Sequence, residues 1–395
     1  MSIQNRVLPI IVFSQFCCTS LWFAGNAVMG DLLESFSLES SALGHLTSAV
    51  QIGFIFGTLI FAILTIADRF ATSKVFLISA VLGAVFNLGT TFNNNTFPSL
   101  FFFRFMTGFF LAGIYPVGMK IASDFFKKGL GKSLGFLVGA LVLGTALPHL
   151  LKGLGTNSPW RLIIFVTSGL ATLGGFLMFT LVPNGPFRKQ SKRIDLSAFL
   201  TVFKNKEFRS SAFGYFGHMW ELYAFWAFVP VIIATFLKLN PEEEINISLL
   251  SFIIIAVGGI GCVIGGYISQ HYGIKKTAFS ALLLSCILCI LSPIIFFFSS
   301  KIFLILYLII WGIVVIADSP LFSTLVAQNA IAESKGTALT IVNCIGFFIT
   351  IFSIQLLNSL ESQIDSRYIY ITLAIGPIIG LIALAKNTSD VPPLK

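Results

Sequence analysis

Four ionisable side chains stand inside long apolar stretches, where a charge is costly unless it is paired or wetted. Arg104 lies in the run Ser99 to Ile121, His218 and Glu221 in Phe213 to Leu237, and Asp318 in Phe303 to Gln328. A carboxylate buried at membrane depth favours its uncharged form, so Glu221 can load and release a proton. His218, one helical turn away, can compete for that proton. Asp318 either shares the proton, as close carboxylates do, or holds the cationic end of a substrate. The planar guanidinium of Arg104 suits a substrate carboxylate or a coupling acid. Each has a structural alternative. Arg104 can tie backbone carbonyls or a buried acid, and Asp318 can bond backbone freed by Pro320. No local backbone break calls for Glu221.

Weaker polar residues accompany these four at helical spacing. Tyr215, His218, Glu221 or Leu222, and Phe225 form one stripe, and Gln15, Thr19, Trp22 and Asn26 form another. Arg104, Leu111 and Tyr115 share a face; Asn343, Phe347 and Thr350 share a third. Polar groups set among Trp, Tyr and Phe suit a small organic molecule better than a bare ion. Lys120 lies close enough to a helix end to snorkel as an anchor. His45 and His149 read as packing residues, and His271 belongs to a loop. All six cysteines fall in apolar runs, where a thiol packs as a small hydrophobe. Cys286 and Cys289 form a C-x-x-C with no second pair and no neighbouring His, so neither a metal nor a redox cofactor is expected.

The elements that position these residues follow from composition. The chain is 56% hydrophobic and 10% charged, with a mean hydropathy of +0.92, far from a water-soluble domain. Runs long enough to cross roughly 30 Å of hydrocarbon fall at Val7 to Met29, Leu43 to Ala67, Val75 to Phe92, Ser99 to Ile121, Leu134 to Leu154 and Leu162 to Val182. A second six fall at Phe213 to Leu237, Ile247 to Ile268, Ala278 to Phe298, Phe303 to Gln328, Ala338 to Leu357 and Tyr368 to Ala385. The expected fold is an all-α membrane protein of twelve transmembrane helices. The first run has one preceding basic residue, Arg6, and no small-residue cleavage site, so it reads as a retained helix. With the N-terminus inside, the cytoplasmic segments hold eighteen of the 25 Lys and Arg residues and the outer segments five. That asymmetry predicts an inner-membrane protein with both termini cytoplasmic. It also absorbs the net charge of +9, which therefore gives no support to nucleic-acid binding.

The two halves repeat. Gly108 and Pro116 stand in the fourth run as Gly312 and Pro320 stand in the tenth, and the same shift superposes Trp22 on Trp226. After the second run the chain reads Ala67-Asp68-Arg69-Phe70-Ala71-Thr72-Ser73-Lys74; after the eighth it reads Gly266 through Gly273 to Lys275 and Lys276. Both segments resemble the cytoplasmic signature of the major facilitator superfamily, roughly Gly-x-Leu-Ala-Asp-Arg-x-Gly-Arg-Lys. The first copy has Ala71 in place of the glycine, and the second has Gln270 in place of the acid. Arg104 before Gly108 and Trp160-Arg161 are similar to further family features. The fifth run departs from the drug-antiporter pattern: it carries Gly135, Gly139, Gly144 and Pro148 but no Gly-Pro pair.

The resemblance covers about residues 7 to 386 and implies two pseudo-symmetric six-helix bundles, 1–183 and 210–395, joined by a basic cytoplasmic linker at 184–209. It implies that the first, fourth, seventh and tenth helices line a central cavity. Arg104, Tyr115, Gln15, Trp22, Asn26, Trp226 and Asn343 would then bind substrate; Glu221, His218 and Asp318 would couple to protons; and Asp68, Arg69 and Lys275 would form a cytoplasmic gate, made in one conformation and broken in another. The expected activity is secondary active transport of a small organic solute, an anion or zwitterion, by alternating access, by a monomer in the lipid bilayer. An organic-cation or multidrug antiporter is the alternative if Arg104 is structural. A membrane receptor with a transporter fold is the alternative of another class. No Asp-Asp-x-x-Asp run, His-Glu-x-x-His pair, Gly-x-Ser-x-Gly elbow or Walker loop is present, so neither an intramembrane enzyme nor an ATPase is expected.

Overall fold

The computed structural model describes residues 3–126, 130–155, 159–188, 203–330 and 335–386. The middle of the expected linker, 189–202 with Lys192, and the terminal Lys395 lie outside the described residues. Among the described residues the secondary structure is helical throughout. Ten helices are long and apolar enough to span a membrane: α2 (Ala42–Ile63), α3 (Thr72–Gly89), α4 (Phe97–Phe125), α5 (Ser133–Leu154), α6 (Trp160–Leu181), α7 (Lys206–Leu239), α8 (Ile247–Tyr272), α9 (Ile274–Phe297), α10 (Lys301–Asn329) and α11 (Gly336–Glu361). Two shorter apolar helices, α1 (Arg6–Thr19) and α12 (Ile369–Ala385), complete the twelve. Large apolar side chains such as Phe56, Phe102, Val263 and Ile302 stand exposed, as expected where the surrounding solvent is hydrocarbon.

The chain forms two compact units. The first takes Met1–Arg193 with Asn246–Ala256, and the second takes Ile194–Ile245 with Val257–Lys395. The first part of α8 thus groups with the first unit, where the Asn246 side-chain amide donates to the Gly153 carbonyl at 2.9 Å.

Small residues set the helix spacing, because apolar surface alone does not drive helices together in lipid. In the first unit α2 lies directly on α4. A Cβ on Gly53 would meet the Phe105 carbonyl oxygen at 1.9 Å, and one on Gly108 would meet the Val50 oxygen at 2.0 Å. In the second unit α7 crosses α12 just as closely: a Cβ on Gly217 would lie 2.4 Å from the Gly376 oxygen.

Several spans are interrupted, and three of the breaks bear on the buried charges. The first helix ends at Thr19 and helical structure resumes only at Ala24–Ala27. The fourth span breaks after Leu111 and restarts at Tyr115, with Pro116 in its first turn. The tenth breaks at Asp318 and restarts at Ser319, with Pro320 in the same position. Proline is tolerated there because its missing N–H has no intrahelical acceptor to lose. The two restarts keep the offset that the sequence repeat gives for Pro116 and Pro320.

Candidate functional site

In the first unit the interrupted first span leaves carbonyls without helical partners, and Arg104 meets them. Its Nη2 donates to the Trp22 oxygen at 2.6 Å, and its Nη1 donates to the Leu21 oxygen at 3.2 Å and to Asn87 Oδ1 at 3.3 Å. Asn87 in turn donates to Ser168 Oγ at 2.9 Å and to Thr167 Oγ1 at 3.3 Å on α6. Arg104 is 1% exposed. Gly25 leaves room for it: a Cβ there would stand 3.0 Å from its Nε. Cation, broken helix and neutral polar chain form one knot joining α1, α3, α4 and α6. These contacts are of the kind a tie to backbone carbonyls would make, and among the described residues no acid takes part in them.

The polar residues Gln15, Trp22 and Asn26 are spread along the interrupted first span. Asn26 donates to Thr47 Oγ1 at 2.7 Å, and the Trp22 ring packs on Phe54 at 4.9 Å. Gln15 is fully buried beside Gly118, and neither of its amide atoms has a partner among the described residues. Gln51 on α2 is buried in the same condition. Tyr115 is half-buried where α4 restarts.

In the second unit the buried ionisable groups divide into two sets. His218 Nδ1 lies 2.7 Å from Asp318 Oδ1, and both side chains are 1% exposed. Asp318 sits at the break of α10, so the acid is held at a helix junction and not within a rod. His218 Nε2 is buried without a partner among the described residues. Its ring stands near Tyr215 and Phe322, and Tyr215 donates its hydroxyl to Asn343 Oδ1 on α11 at 2.7 Å.

Glu221 faces elsewhere. Its Oε1 accepts from Trp311 Nε1 at 2.6 Å and from the Ser285 hydroxyl on α9. Phe225, one turn on, packs on Trp311 with centroids 4.5 Å apart. The sequence pairs His218 with Glu221 as neighbours on one helix; in the fold His218 turns to Asp318 and Glu221 turns to α9 and α10. Trp226 packs against Tyr223 at 5.5 Å.

Of the residues expected at a cytoplasmic gate, Asp68 pairs at 2.7 Å with Lys120, the residue expected to act as an anchor. Arg188 donates to the carbonyls of Asp68 at 3.1 Å and Phe70 at 2.6 Å. Arg69 Nε bonds Thr65 Oγ1 at 3.1 Å, and Lys275 lies 3.8 Å from Glu207. Sequence reading missed Asn87, Thr167 and Ser168 around the arginine and Ser285 and Trp311 around the glutamate. A neutral amide such as Asn87 or Gln51 inside an apolar run is the signal that could have found part of this set.

The family model of the Major Facilitator Superfamily matches residues 11–354. The chain belongs to that superfamily. This superfamily member is a multi-pass membrane protein by its apolar helices. Its fold is similar to that of the xylose transporter XylE from E. coli in a partially occluded inward-open conformation, with a TM-score of 0.76 at 15% identity over 99% of each chain. It is also similar to the nucleoside transporter NupG, with a TM-score of 0.74 at 16% identity over 97% of this chain and 99% of that one. Among curated proteins, the 3-(3-hydroxy-phenyl)propionate transporter of Escherichia coli (strain K12) is 28% identical over 161 residues, which is 40% of this chain and 38% of the relative. The transporter YgaY of Escherichia coli O157:H7 is 24% identical over 238 residues, 56% of this chain and 59% of that one. The chain thus aligns with less than two thirds of the length of either.

Proposed function

We propose that this protein is a proton-coupled secondary carrier of a small organic anion, working by alternating access as a monomer in the inner membrane, with halves 1–183 and 210–395 and both termini cytoplasmic. The observation that carries the reading is the 2.7 Å contact between His218 and Asp318, with His218 Nε2 buried and unpartnered beside it. A proton on this pair makes the imidazole a double donor. Nδ1–H then faces Asp318, and Nε2–H is free to donate to a substrate carboxylate. The anion binds while the proton is present, and loss of the proton removes the donor. Binding of one is thereby linked to binding of the other, the reciprocal coupling that co-transport needs.

Arg104 is held by carbonyls and so gives an anion no support; the reading rests on the imidazole and on one further fact. One relative's name specifies a phenylpropionate, an aromatic carboxylate that suits polar groups set among Trp, Tyr and Phe. Glu221 is the second protonatable group and serves mainly to fix α7 to α9 and α10. Asp68, Arg69 and Lys275 act at the cytoplasmic gate.

Radiolabelled 3-phenylpropionate uptake into proteoliposomes tests the reading. Accumulation should follow an imposed pH gradient and be lost in His218→Gln. Uptake indifferent to the gradient, or unchanged in that variant, would overturn proton coupling through the pair. Conversion of the solute, or binding without uptake, would overturn transport itself. Reporter fusions near Lys192 and Lys395 should lie inside and those near Asn94 and Glu243 outside; a periplasmic C-terminus would overturn the topology.

A further inference from the structure

At one end of the second unit, α7 and α12 part to leave a groove of about 410 Å³. The two helices run antiparallel and touch at Gly217 and Gly376. Two turns nearer the end, the Ser210 hydroxyl bonds the Ala383 carbonyl at 2.8 Å, and both residues line the groove. Its walls are Phe213, Ile379 and Ile382, and the rim carries Lys206, Arg209 and Lys386. Among the described residues no acid lines the groove. Glu207, the acid nearest in sequence, is drawn toward Lys275 on α9.

We propose that this groove binds an anionic phospholipid, its phosphate held by Lys206, Arg209 and Lys386 and one acyl chain laid over Phe213, Ile379 and Ile382. The chemistry divides as such a lipid divides. Phe213, Ile379 and Ile382 are 38%, 50% and 50% exposed and face hydrocarbon, which suits a chain. Lys206 opens the first turn of α7, and Lys386 directly follows α12, so the cations stand at the membrane surface, where headgroups lie. Basic pockets between transmembrane helices are a known type of anionic headgroup site. A soluble phosphate would use the cations and leave the apolar walls idle; a zwitterionic lipid would use the walls but bring a further positive charge to three cations. In the topology proposed above this end is cytoplasmic, but binding in detergent does not depend on sidedness, so the lipid result and the topology result can fail separately.

The test is titration of the full-length detergent-solubilised protein with phosphatidylglycerol, read by native mass spectrometry. Each basic residue near the surface should contribute about fivefold in affinity. Lys206→Gln, Arg209→Gln and Lys386→Gln together should weaken binding on the order of a hundredfold, while phosphatidylcholine binds the wild type no better than it binds the triple variant. A control carrying Lys74→Gln, Lys238→Gln and Lys301→Gln loses the same charge elsewhere and should bind phosphatidylglycerol as the wild type does. If the triple variant does not fold, Lys386→Gln alone, beyond the last helix, should still show the fivefold loss. Equal binding by wild type and groove variants, equal loss in the control, or displacement of the lipid by inorganic phosphate at matched concentration would each overturn the proposal.

Discussion

The buried cation of the first unit and the buried acids of the second solve the same problem in opposite ways. Arg104 keeps a permanent charge at membrane depth by binding only neutral acceptors, two of them supplied by a broken helix. His218 and Asp318 form a contact whose net charge depends on one proton. A guanidinium bound to carbonyls has one state and therefore makes a joint. An imidazole beside a carboxylate has two states, and so it can report or carry an event. Burial alone does not distinguish structure from mechanism; the chemistry of the partner does.

The largest effect is expected where the single-state group is removed. Arg104→Ala leaves the Leu21 and Trp22 carbonyls and the Asn87 amide oxygen without their donor, so the protein should lose about 3 kcal/mol or more of stability, seen as a lowered melting temperature in detergent. Arg104→Lys cannot reproduce the planar fork and should fall between the two. Wild-type melting of the alanine variant would end the distinction, because the arginine would then be free for another role.

Next in size come the two-state groups. Asp318→Asn keeps the shape of the side chain but removes the carboxylate that His218 faces. Gradient-driven accumulation should drop about tenfold or more, in the range typical of linked sites, while gradient-independent exchange is affected less. Equal losses in both assays would mean that the pair is structural.

Glu221→Gln sharpens the contrast further. The amide oxygen can still accept from Trp311 and Ser285, so stability should change by only about 1 kcal/mol, and pH-driven accumulation should persist. Its disappearance would move the coupling role from the His218–Asp318 pair to Glu221.

Asp68→Asn should have the smallest effect on stability, under about 1 kcal/mol for a partly exposed ion pair. A slower initial rate at unchanged melting temperature would mark it as part of a gate.

The lengths and order of the twelve spans were legible because a hydrocarbon solvent requires long apolar runs, and the repeat gave the matching breaks at Pro116 and Pro320. The identity of the buried charges was legible for the same reason: an Arg, a His or an acid stands out against leucine and phenylalanine. Their partners were not. Asn87, Ser285 and Trp311 are ordinary residues in their own helices, and they matter only because packing brings α3 to α4 and α9 and α10 to α7. Spacing along one helix pairs the histidine with Glu221, whereas its nearest acid in the fold is Asp318. His218 and Glu221 share a face by turn count, yet they diverge far enough around α7 to meet different neighbours.

The hydrogen bond from Trp311 to Glu221 places a fluorophore on a titratable group. Indole emission responds to a charge lying along its N–H, so gain or loss of a proton at Glu221 should alter the light from Trp311 with no solute moving at all. The chain has five tryptophans, and subtracting the spectrum of Trp311→Phe isolates this one. A pH titration of that difference, repeated in Glu221→Gln as the blank, would make the protein its own optical indicator.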